Sequence, residues 1–74
     1  MVIITYVKPY LIINSDELLT GLIIIRNGEN KIIKKKEIVK QNFENIKVSK
    51  KEGDMIKVEL ITAGLEIKKQ FRIN

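Results

Sequence analysis

Seventy-four residues with 45% apolar side chains and a net charge of +5 make at most one domain, near the lower size at which a single core holds a chain folded unaided. The chain has no Cys and no His, which excludes a disulfide framework, a thiolate metal site and the usual general base at neutral pH. The apolar set is skewed to fifteen Ile against four aromatics, and stiff β-branched side chains suit pleated sheets better than helices.

"VIITYV" (2–7) reads as a strand, and Pro9 fits an edge position or a bend after it. "YLII" (10–13) continues extended until "NSDE" (14–17), a turn cluster. "LLTGLIIIR" (18–26) is apolar on both faces from Leu22 to Ile25, as a central strand covered on both sides requires. The Asn-Gly of "NGEN" (27–30), between apolar runs, is the strongest hairpin signal in the chain. Residues 31–48 leave two readings open. Ile32 and Ile33 extend the return strand, whereas Val39, Phe43 and Ile46 fall at i, i+4, i+7, a spacing that also suits two turns of helix. The preferred order is strand, then an irregular stretch or one short helix near 37–45, then a strand near 45–49.

In the closing stretch, "EGDMIKVELITAGLEIKKQFRIN" (52–74), Ile56, Val58 and Leu60 alternate with charged residues, and after a break Leu65, Ile67, Phe71 and Ile73 alternate with polar ones, Lys69 being the exception on the apolar side. This predicts a half-buried antiparallel hairpin. Of two registers that keep the apolar faces together, one sets Glu59 against Glu66 and Lys57 against Lys68. The other sets Glu59 against Lys68, Lys57 against Gln70 and Ile56 against Phe71, with 62–65 as the loop. Facing like charges cost about 0.2–1 kcal/mol per pair, which favours the second register. Gly53-Asp54 reads as a turn device, glycine supplying a strained backbone angle.

The positive charge is concentrated. Residues 26–51 carry a local balance of +6, and Arg26, Lys31, Lys34, Lys35, Lys36 and Lys40 are candidate contacts for phosphates or an acidic partner. The alternative is a solvated face that keeps an Ile-rich domain in solution. Few aromatics interleave with these lysines and Arg is scarce, so nucleic-acid contacts would go mostly to phosphate. The nine carboxylates are scattered without metal-ligand spacing, and there is no Gly-rich phosphate loop. No cofactor, small-molecule substrate or enzymatic activity is expected. No apolar run approaches the roughly 18 residues of a membrane span, and no targeting segment is evident, so a cytoplasmic location is the default expectation.

"GLIIIRNGENKI" (21–32) and "VSKKEGDMIKVELITAGLEIKKQFRI" (48–73) resemble the strand pattern of small immunoglobulin-like β-sandwich modules, in which a Gly-Asp opens the last hairpin. That resemblance implies a sandwich used for protein–protein contact. "ENKIIKKKEI" (29–38), "KKEGDMIKVEL" (50–60) and "GLEIKK" (64–69) are also similar to AbrB-type swapped-hairpin DNA-binding domains, with Lys35 where that family carries a proline. This second likeness implies an intertwined dimer touching DNA through Arg26, Lys31 and Lys34–Lys36.

The expected object is a single all-β domain spanning 1–74, a small antiparallel sandwich or partly open barrel of about six short strands. The expected function is a non-enzymatic structural or protein-interaction module within a homo-oligomer or larger assembly, with Val2, Ile4 and Tyr6 at an exposed edge-strand contact. The alternative is a small basic nucleic-acid-binding protein using the lysines at 31–40.

Overall fold

A computed structural model describes residues 1–49 and 53–73. Lys50, Lys51, Glu52 and Asn74, which the sequence reading counts in the basic third or the closing hairpin, lie outside them. Five antiparallel strands form one open, curled half-barrel sheet. They are β1 (Val2–Val7), β2 (Tyr10–Asn27), β3 (Ile32–Lys47), β4 (Met55–Thr62) and β5 (Leu65–Arg72). The chain is all-β, and the partly open barrel is the nearer of the two expected architectures.

Among the described residues there are five strands rather than six because "NSDE" does not reverse the chain: the segments on either side of it are one strand of 18 residues. β3 pairs with both halves of β2; β1 takes the other edge of the first half, and β4 that of the second. The turn-forming residues still act locally. Asn14 pairs with Phe43 and Leu19 with Gln41, so residues 15–18 of β2 stand against the single residue 42 of β3. Across from this bulge Lys40 adopts a left-handed backbone, φ 48°, and its N–H donates to Thr20 Oγ1 at 3.0 Å. Bulges bend strands and increase their twist, and these curl the sheet into two halves.

No helix occurs among the described residues, and 37–45 lies inside β3. The helical spacing of Val39, Phe43 and Ile46 is accidental, because Val39 and Phe43 point to solvent and only Ile46 is buried. Ladder bonds to β2 fix this segment as strand, overriding the pattern. The Asn-Gly signal does mark a hairpin. It closes through a longer loop, with Asn30 rather than Gly28 taking the positive φ of 66°. Asn27 Oδ1 accepts the N–H groups of Glu29 and Lys31, the local bonding that makes Asn a turn residue.

Inward-facing Ile4, Leu11, Ile13 and Ile46 of the first half meet Ile23, Ile25, Ile38, Ile56, Val58, Leu60 and Ile73 of the second in one core. Each such side chain contributes about 1.5–3 kcal/mol on full burial, so the curl stabilises the chain more than any single hairpin does. Tyr6 ties the halves together. Its hydroxyl donates to the Val48 carbonyl at 2.7 Å, and its ring lies 6.3 Å from that of Phe71. Leu22–Ile25 is the central strand the sequence implies, with Ile23, Ile24 and Ile25 all buried.

The closing hairpin has the second register: Glu59 lies opposite Lys68, Lys57 opposite Gln70 and Ile56 opposite Phe71, with Thr62 and Leu65 flanking the turn. Gly53 takes the strained angle expected of it, φ 88°. Ile56, Val58, Leu60 and Ile73 are buried, Ile67 and Phe71 are half-buried, and Leu65 is exposed. Although Glu59 faces Lys68, its carboxylate is taken by Arg26, whose Nε donates at 2.8 Å.

Candidate functional site

The lysines of the central third do not converge. Residues 31 to 40 span about 30 Å of extended chain, so Lys31 and Lys40 lie far apart. Alternation then divides the rest. Lys34 and Lys36 pair with Ile25 and Ile23 on the core-facing side, and Lys35 pairs with Ile24 on the outer face. The two inward lysines are engaged: Lys36 Nζ bonds Glu44 Oε1 at 2.6 Å, and Lys34 Nζ donates to the Lys47 carbonyl at 2.5 Å. Glu44 is only 8% exposed, so Lys36 serves as counter-charge for a buried carboxylate. A run of lysines in sequence is therefore two structural cations and three separated surface ones, with Arg26 directed to Glu59.

The edge-strand residues are also placed differently. Val2, Ile4 and Tyr6 face inward: Ile4 is fully buried, and Val2 and Tyr6 pack against the core. β1 is an edge strand, but side-chain contact from it falls to the alternate residues Ile3, Thr5 and Val7.

Those three belong to a larger outward face that the sequence alone does not reveal. Register places Ile3, Asn14 and Phe43 in one row across β1, β2 and β3. Thr5, Ile12 and Asn45 form the next row, and Val7, Tyr10 and Lys47 the third. Eight of these nine side chains are uncharged; Lys47 alone carries a charge, at a corner. Ile3, Val7 and Phe43 are 50%, 62% and 52% exposed, and Tyr10 is also open to solvent.

The outer face of the second half has the opposite character. Its rows run Glu37–Leu22–Ile61–Glu66, Lys35–Ile24–Glu59–Lys68 and Ile32–Arg26–Lys57–Gln70 across β3, β2, β4 and β5. Arg26 and Lys57 are direct cross-strand partners, and a shallow depression of about 800 Å³ opens between them, Asn30 and β5. Arg26 Nη1 donates to the Asn30 carbonyl at 3.1 Å, and Lys57 Nζ to Asn30 Oδ1 at 2.8 Å.

Among the described residues there is no group of three or more His, Cys, Asp or Glu side chains able to hold a metal ion. No helix there is long and apolar enough to cross a membrane. No protein-family model matches the chain, and no curated protein or solved structure matches it either.

Proposed function

We propose that this chain is a non-enzymatic protein-interaction module that associates with further copies of itself through the uncharged outer face of its first half. The observation that carries this reading is the three-by-three grid of outward side chains around Ile12, with Ile3, Val7, Tyr10 and Phe43 exposed and a charge only at Lys47. The chain's net charge of +5 keeps copies apart in other orientations, and this face, charged only at its Lys47 corner, lets two chains meet with little opposition of charge. Exposed apolar patches of this kind commonly mark interaction sites.

The footprint sets the strength. Nine positions at sheet spacing cover about 300 Å², well under the roughly 800 Å² per partner of a stable complex. Association is therefore weak, reversible and suited to repeated contacts in a larger assembly. Sedimentation velocity from micromolar to millimolar protein tests it. Wild type should move from monomer toward dimer with concentration, and Phe43→Glu, at a half-exposed position outside the buried cluster, should stay monomeric. A monomer at millimolar concentration, or a Phe43→Glu variant that associates as before, would refute the reading.

A further inference from the structure

The depression on the charged face is built around an unfavourable pairing. Arg26 and Lys57 stand directly opposite each other on β2 and β4. Facing like charges destabilise a sheet by about 0.2–1 kcal/mol per pair. Asn30 lies between them and accepts from both, through its carbonyl and its side-chain oxygen. Its left-handed backbone, φ 66°, belongs to the same arrangement. Lys68 extends the positive lining along β5, with an exposed ion pair to Glu66 at 3.5 Å, while Lys69 opposes buried Val58 on the other side of the strand. Glu59, the carboxylate that lines the depression, is already bonded to Arg26. With one or two donors committed on each anchored cation, Arg26 and Lys57 retain further N–H groups in a fixed position.

From this geometry we propose that the depression is a binding site for a phosphate-bearing ligand, held by Arg26, Lys57 and Lys68 with Asn30 as the positioning residue. A multi-oxygen anion takes several donors at once and removes the repulsion between the facing cations, which a lone carboxylate does less completely. The site is independent of the uncharged face: the two lie on different halves of the sheet and share no residue.

The test is a titration of isotope-labelled protein with inorganic tripolyphosphate, read by amide chemical shifts, with citrate as the carboxylate counterpart. Shifts should centre on Asn30, Lys57–Glu59 and Lys68–Gln70. Lys57→Gln/Lys68→Gln should weaken binding by about tenfold or more, the scale of one lost charge-assisted contact. Lys8→Gln/Lys40→Gln, with the same net charge, should bind like wild type. Asn30→Gly, which keeps the backbone angle and removes the Lys57 acceptor, should weaken binding while leaving the fold intact by circular dichroism. A parallel titration with a short oligothymidylate separates the sources. Binding with the same variant dependence assigns backbone phosphodiesters, and its absence assigns free phosphate esters. The proposal fails if citrate binds as tightly as tripolyphosphate, if shifts spread over all lysines, or if the two double variants behave alike.

Discussion

Gly21 has no room for a side chain: a Cβ there would lie 2.1 Å from the Ile61 carbonyl oxygen, a backbone atom of β4 that cannot swing away. Gly21→Ala should therefore cost about 3 kcal/mol, at the upper end for overpacking. Gly64→Ala, in a turn with open space around it, should stay within about 0.5 kcal/mol. Urea denaturation of the two variants reads the contrast. At Glu59 the partner decides the cost. The Arg26–Glu59 pair is only 30% and 18% exposed, so Glu59→Ala should cost about 1–2 kcal/mol, more than a solvated pair with Lys68 would. Tyr6 gives a pH signature. Burial holds its hydroxyl above the ordinary value of 10.0. The unfolded chain then loses this proton first, so the contribution is complete below pH 10 and is lost as pH rises through the folded value. Thermal melts should show this alkaline loss in wild type, and Tyr6→Phe should lower stability by about 1 kcal/mol and remove it.

β3 shows what a strand does to a charge run. Lys35 on the outer face and Lys36 beside Glu44 are neighbours in sequence with unequal roles. Lys35→Gln should shift stability by less than about 0.5 kcal/mol, whereas Lys36→Gln, which strands a buried carboxylate, should cost about 1–3 kcal/mol. Equal effects in chemical denaturation would mean that Glu44 finds another partner. The period-2 alternation of β4 and β5 was legible in the sequence, as were β1 as a strand from its β-branched content, the 27–30 hairpin and the register of the last hairpin, because each depends on residues close in the chain. The bend in β2 was not: Ser15–Leu18 carries the same turn chemistry whether the chain reverses or bulges, and only pairing with β3 decides. The candidate sites were less legible still. Arg26 meets Lys57 and Ile3 joins Phe43 only through β2, pairings more than 25 residues apart that no local pattern announces.

Over the whole molecule, the two outer faces separate an uncharged surface from a charged one on a chain 32 × 21 × 16 Å in extent. Association through the first should strengthen with added salt, because screening weakens the repulsion of the +5 chains without touching an uncharged contact. Light scattering at low and high ionic strength reads the sign, and weakening by salt would place the contact on the charged half. The unbroken β2 has a further consequence, for cooperativity. Residues 10–14 and 21–26 each sit between two neighbouring strands, and β2 and β3 run through both halves. No cut leaves either half a complete sheet of its own, so loosening one exposes the inward side chains of the other. The amides of 11–13 and 23–25 should then exchange with deuterium through one common opening of the entire domain, despite the bend between them. One long strand makes two half-sheets melt as a unit.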